Sequence, residues 1–161
     1  MIPVYKLKRD TSMRLKLIKD GPQIKAGPDV ITVIDEHIIH SIMCDSSISL
    51  HAEHTEHMYV ICLDKDNGIK AICRIADGTD TSVQTYIANI LACPILTGCR
   101  NIILVHNHPS ENDTPSTNDI ALTKQVINAC KTMQMSLVEH YIVASKTKGY
   151  SFIKNKPSLF A

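Results

Sequence analysis

Apolar and charged residues alternate over Val4–Lys8 and again over Arg14–Lys19. A period of two belongs to strands with one solvated face, so both segments read as exposed-edge strands. Gly21-Pro22 and Gly27-Pro28 break the chain, and Asp29 is placed to cap a helix with an apolar face of Val30, Val33, Ile34, Ile38 and Ile42. A polar loop from Asp45 to Thr55 leads into a strand, Met58–Leu63, and Asp66-Asn67-Gly68 makes a hairpin turn into Ile69–Ile75. Ser82 to about Leu96 reads as a helix with a late kink at Pro94. Asn101-Ile-Ile-Leu-Val105 is the short apolar run of a central strand covered on both faces. The clearest helix is Ser116 to Met133, with Ile120, Thr123, Ile127 and Cys130 at helical spacing. Leu137–Ala144 and Tyr150–Ile153 complete the set as strands. This order predicts a mixed α/β (α+β) fold in a single domain over 1–161, a central mixed sheet flanked by helices, with 1–50 as an N-terminal strand and helix extension.

Composition narrows the class. With 161 residues, 44% hydrophobic and 20% charged, the chain can bury a real core and is not disordered. The lack of Trp and an aromatic share of 4% argue against a base-stacking surface. A net charge of +1 predicts no polyanion partner in bulk. The charge is uneven, however: Lys6, Lys8, Arg9, Arg14, Lys16, Lys19 and Lys25 face only Asp10 and Asp20 within residues 1–25, a local +5. Such a segment tracks a phosphate backbone or guards a solvated strand edge, and the second reading is favoured. Six cysteines contain no C-x-x-C pair and sit mostly among apolar neighbours, as reduced thiols do. The N-terminus lacks the apolar core of a signal peptide, and no run is long enough to span a membrane, so a cytoplasmic protein with no membrane partner is expected.

The chemistry concentrates in Val105-His106-Asn107-His108-Pro109-Ser110 and Pro115-Ser116-Thr117-Asn118-Asp119. Residues two apart on an extended chain project to one side, so His106 and His108 can share an ion as a buried strand ends. Neutral imidazoles suit zinc, and an acidic oxygen as third ligand leaves a position for water. Asp119, in the first turn of the next helix, can supply that oxygen, and the helix N-terminus keeps it ionised. Ser116-x-x-Asp119 is equally a capping box, in which both side chains satisfy free backbone N–H groups. The spelling His-Asn-His does not make the nuclease motif of that name, which is dispersed along a hairpin and helix.

The whole pattern resembles the JAMM motif of the JAB/MPN metalloprotein family: His-x-His, seven residues, Ser, two residues, Asp, with an upstream Glu. Here His106 and His108 precede Pro109–Pro115, Ser116, Thr117-Asn118 and Asp119 without a spacing error. His-Asn-His-Pro-Ser with the later Pro-Ser-x-x-Asp looks like the bacterial RadC branch, and the similarity runs from about Glu56 to Phe152. The resemblance implies a JAB/MPN-like fold and one Zn²⁺ per chain on His106, His108 and Asp119. It also implies Glu56 as general base for a metal-bound water and Ser116 as a hydroxyl donor to the oxyanion. Of the two upstream acids, Glu53 and Glu56, the resemblance selects Glu56. The neighbouring His51, His54 and His57 fit no zinc-protease spacing and read as a solvated loop. His140 resembles the histidine of an Asp-His pair in RadC proteins, with its role open.

The implied activity is a zinc metallopeptidase or isopeptidase acting on an amide bond of a protein or peptide. Two alternatives are a DNA-repair-associated accessory protein, binding DNA through the basic first 25 residues, and a non-catalytic metal-binding interaction module. Self-association into a homo-oligomer is open. Two departures weaken substrate inference from the family: Glu111 stands where a Gly is usual, and Ile87-Ala88-Asn89 where Pro-Arg-Glu is usual. A helix-hairpin-helix region, present in long RadC proteins, is not expected in Met1–Ser47.

Overall fold

The alternation at the start of the chain becomes a hairpin. In the computed structural model, which describes residues 1–21, 23–24, 35–78 and 85–161, β1 (Val4–Arg9) pairs antiparallel with β2 (Leu15–Lys19). Of these two strands, β2 is the one at the sheet edge. The expectation of two exposed-edge strands is corrected for β1, which also pairs in parallel with β4 (Ile69–Asp77). Its apolar side chains are covered by the two core layers, Val4 within one and the half-buried Leu7 against the other.

A seven-stranded mixed sheet runs in the order β2-β1-β4-β3-β5-β6-β7. Its centre is β3 (His57–Leu63) against β5 (Asn101–Asn107), antiparallel and buried over nearly every residue. Strand β6 (Ser136–Val143) lies parallel to β5, and β7 (Gly149–Ser151) closes the far edge. The apolar run of β5 is covered on both faces, as such a composition demands. On one face, Tyr59, Ile61, Ile103 and Val105 pack against Ile39, Ile42 and Met43 of α1 (Glu36–Met43). On the other, Val60, Cys62, Ile102 and Leu104 pack against α2 (Ile87–Thr97) and α3 (Thr117–Thr132). The expected mixed α/β fold with a helix-flanked sheet is therefore what the chain forms.

Local chemistry sets most boundaries. Asn67 adopts a left-handed φ of 64° in the turn between β3 and β4, where the Asp64 carboxylate accepts from the Asp66 and Gly68 N–H groups. Gly98 ends α2 with a left-handed φ of 70°. Pro94 is accommodated inside α2, which continues to Thr97.

Three sequence expectations shift. The helix carrying Ile38 and Ile42 is capped by Asp35, whose carboxylate accepts from His37 N–H at 2.7 Å; the expected cap Asp29 and Val30, Val33 and Ile34 lie outside the described residues, as does the Gly27-Pro28 break. Helix α2 begins at Ile87, because Tyr86 is extended (φ −92°, ψ 140°), and the expected start, Ser82, lies outside the described residues. Strand β7 stops at Ser151, whose hydroxyl accepts from Lys154 N–H and turns Phe152–Asn155 into a short helix, α4. No helix among the described residues is long and apolar enough to cross a membrane.

Candidate metal centre

Strand β5 delivers His106 as its penultimate residue and His108 one residue past its end, and their Nε2 atoms lie 3.0 Å apart. Asp119 enters from the first turn of α3, its Oδ1 3.2 Å from His106 Nε2 and its Oδ2 3.4 Å from His108 Nε2. Glu56 immediately precedes β3, with Oε1 3.8 Å from His108 Nε2. One ligand atom each from Glu56, His106 and His108 falls within 4.8 Å of the others, a candidate metal-binding group. Glu53, the other upstream acid, turns away and meets His57 Nε2 at 3.3 Å.

The capping and cluster roles of Asp119 coexist. Its Oδ2 accepts from Ser116 N–H at 2.7 Å and Ser116 Oγ–H at 2.6 Å, while its own N–H donates to Ser116 Oγ at 3.1 Å. The other oxygen, Oδ1, is left to His106. Burial works to raise the Asp119 pKa, yet the His106 and His108 imidazoles and the Ser116 hydroxyl outweigh it and hold the carboxyl well below the usual range. In the capping box the Ser116 hydroxyl proton points at Asp119, not into the cleft.

Outer partners fix which nitrogen each imidazole offers. His108 Nδ1 is 2.7 Å from the Asn112 carbonyl, which only accepts, so Nδ1 carries the proton and Nε2 the lone pair. For His106 the logic runs through a buried relay. The Thr123 hydroxyl donates to the Asp119 carbonyl at 2.6 Å and therefore accepts from His140 Nδ1–H at 2.7 Å. His140 Nε2 is then an acceptor for His106 Nδ1–H at 2.9 Å, which leaves His106 Nε2 unprotonated. Burial, reinforced by the neighbouring His106, lowers the His140 pKa well below its ordinary value and keeps that ring neutral. His140 is fully buried, stacked on Phe152 with ring centroids 4.5 Å apart and planes within 8°.

Two lone pairs thus face each other beside a carboxylate with no donor of their own, and a cation resolves that arrangement. Tetrahedral ligands about 2.0–2.1 Å from zinc stand roughly 3.3 Å apart; the observed 3.0–3.4 Å among His106, His108 and Asp119 fits. In the metal-free chain a proton takes this place. Burial opposes protonation of His108, but Asp119, the Asn112 carbonyl and Glu56 raise its pKa above the ordinary value.

The sequence reading of His57 as a loop residue is corrected. It is 4% exposed, the first residue of β3, with Nδ1 3.1 Å from Asp77 Oδ1. His54 is exposed and His51 half-buried. Sequence reasoning assigned no role to Asn107, Asn112 or Thr123: Asn107 stands inside the His-Asn-His-Pro-Ser motif and Thr123 on the apolar stripe of its helix, but the partners that give these residues work come from elsewhere in the fold.

A mixed sheet with helices on both faces and a His, His, carboxylate cluster at the end of its central strand defines a JAB-type domain. A family model described as a RadC-like JAB domain matches residues 31–157, and the chain belongs to that family. Among curated relatives, a UPF0758 protein of Coprothermobacter proteolyticus is 33% identical over 128 residues, covering 78% of this chain and 53% of the relative. A UPF0758 protein of Fusobacterium nucleatum is 35% identical over 102 residues, 63% of this chain and 44% of the relative. A third, from Roseiflexus sp., is 32% identical over 90 residues, 56% and 39% of the two chains. The chain spans about half the length of the curated relatives it matches.

Proposed function

We propose that this chain is a zinc-dependent hydrolase of the JAMM type, cleaving an amide or isopeptide bond in a protein or peptide. The observation that carries the reading is the pair of Nε2 atoms, 3.0 Å apart and each left as the ligating nitrogen by an outer partner on Nδ1, aimed at one point beside Asp119. Metal-ligating histidines are oriented this way. His106, His108 and Asp119 would hold the ion, and an ion held by three protein groups supplies Lewis acidity toward a water and a substrate carbonyl. Glu56, buried to 9% exposure at the cluster's edge, takes the water's proton and returns it to the leaving amine. Ser116 holds Asp119 by two hydrogen bonds, and rotation about Cβ–Oγ turns the same hydroxyl toward an oxyanion. A cytoplasmic location belongs to this reading and rests on six free cysteines, five of them buried.

Metal analysis of purified wild type beside His106→Ala, Asp119→Ala and Glu56→Gln tests the reading. About one zinc per chain is expected in wild type and in Glu56→Gln, and loss in the other two. Stoichiometric zinc in Asp119→Ala would return that residue to its capping role alone.

DNA binding along the N-terminal segment is the weaker reading. Lys6 is engaged by Asp77 at 2.8 Å and Lys16 by Asp10 at 3.0 Å, which reduces the charge left to meet phosphate. A DNA affinity that falls steeply with salt and vanishes on neutralising Lys8, Arg9 and Arg14 would favour it.

A further inference from the structure

Pairing between the two central strands stops at Met58 opposite His106. Beyond that point β5 stays with β6, through Asn107 opposite Val143 and His108 N–H donating to the Val143 carbonyl at 3.0 Å. Strand β3 stays with β4, through His57 opposite Asp77 and Gly78 N–H donating to the Glu56 carbonyl at 2.7 Å. The sheet therefore splits where Glu56 and the histidines face each other. A split leaves backbone groups without ladder partners, and buried ones must find others.

The Asn107 side chain, 2% exposed, spans this split. Its Oδ1 accepts from His57 N–H at 2.7 Å, and its Nδ2 donates to the Thr55 carbonyl at 3.0 Å and the Glu53 carbonyl at 3.4 Å. The partners fix the amide's orientation, because an N–H only donates and a carbonyl only accepts. The two shorter bonds grip the residues on either side of Glu56. By strand alternation Asn107 projects to the face opposite His106 and His108, so it acts on Glu56 through the backbone. Asp in its place lacks the donors, and Gln is one methylene too long.

We propose that Asn107 is the positioning residue for Glu56, holding the two central strands apart at the distance that lets the carboxylate face the His106–His108 pair. This rests on the reading of Glu56 as the base beside a bound metal. Cobalt(II), whose visible spectrum reports the surroundings of the ion, is the probe, added to metal-free wild type, Asn107→Ala, Glu56→Gln and the double variant at one pH. Asn107→Ala is expected to bind one cobalt per chain with a loss smaller than the roughly tenfold cost of breaking a ligand's own outer partner. Its spectrum is expected to depart from wild type in the same sense as that of Glu56→Gln, and the double variant to show no further change, as for two residues acting as one unit. Amide exchange over residues 53–57 should accelerate by about tenfold in Asn107→Ala. A wild-type spectrum despite faster exchange makes Asn107 a purely structural residue and overturns the proposal. So does a double variant in which the two spectral changes add. Wild type that takes up no cobalt, or a Glu56→Gln spectrum identical to wild type, overturns the parent reading instead. Asn107→Ser, which keeps a small polar group in the split, carries the same comparison if the alanine variant does not fold.

Discussion

Replacing His140 by Phe tests the relay behind the cluster with little change of shape. The ring is fully buried and already stacked face to face on Phe152, and a benzene ring keeps the stack at a small increase in volume. What disappears is the acceptor 2.9 Å from His106 Nδ1 and the donor 2.7 Å from Thr123 Oγ1. Thr123 still donates to the Asp119 carbonyl, so the orphan that matters is His106 Nδ1–H, in a ring 1% exposed. An unsatisfied buried donor costs about 1–3 kcal/mol. His106 escapes that cost by moving its proton to Nε2, where it meets the His108 lone pair, but this tautomer cannot ligate. The penalty thus falls on the metal-bound form rather than on the metal-free fold. A loss of about 10–100-fold in zinc affinity follows, or roughly 1.4–2.7 kcal/mol. Competition against a chromophoric chelator at fixed pH measures the affinity, and thermal melts of the metal-free proteins measure the fold. Zinc affinity in His140→Phe within about twofold of wild type, far below that range, would refute the relay and reduce His140 to a packing residue.

Three further outcomes are expected. Chelation should lower the melting temperature, because an ion that binds only the native chain adds about 2.7 kcal/mol at a hundredfold excess over Kd, or some 5–10 °C for a chain of this size; Glu56→Gln should show the same shift, whereas His106→Ala should show none. Gly149→Ala should destabilise by about 1–3 kcal/mol through overpacking, since its Cβ would collide with the Tyr141 hydroxyl and sit 2.7 Å from the Ile142 carbonyl, while metal affinity holds; an unchanged melting temperature would contradict this. Asp77, whose carboxyl burial alone would raise, is held at a pKa of about 2 by Lys6 and Arg74, against an ordinary 3.8. A depressed pKa stabilises the fold above the unfolded value and loses that contribution as pH falls from 3.8 toward 2. With a side chain 42% exposed, the contribution is discounted to about 1 kcal/mol. Urea titrations of Asp77→Asn should therefore show the deficit at pH near 7 and a shrinking one below about 4.

The succession of elements was legible in the chain because it depends on neighbours a few residues apart. Alternation made β1 and β2, the wholly apolar run made β5, and the Ser116-x-x-Asp119 box started α3 where the spacing placed it. The same local rules put His106 and His108 on one side of a strand end. They misplaced the starts of α1 and α2 and the end of β7, where a carboxylate cap, an extended Tyr86 and the Ser151 hydroxyl decide the boundary.

What the chain could not disclose is what meets across the sheet. By residue type alone Glu53 and Glu56 are both plausible acids, and the family resemblance selected Glu56; the physical reason is the antiparallel register of β3 on β5, ending at Met58 opposite His106, which sets Glu56 beside His108 and sends Glu53 to His57. Likewise His140 is an ordinary strand residue until the parallel pairing of β6 with β5 brings it behind His106, and Asn107 is only the spacer of a His-x-His pair until the sheet splits around it. Strand order and register are set by the burial of whole faces, a sum over the entire core, so no short stretch of sequence carries them. The candidate ligands from β5 and α3 are therefore local facts of this sequence, while the groups that orient and serve them are products of its tertiary structure.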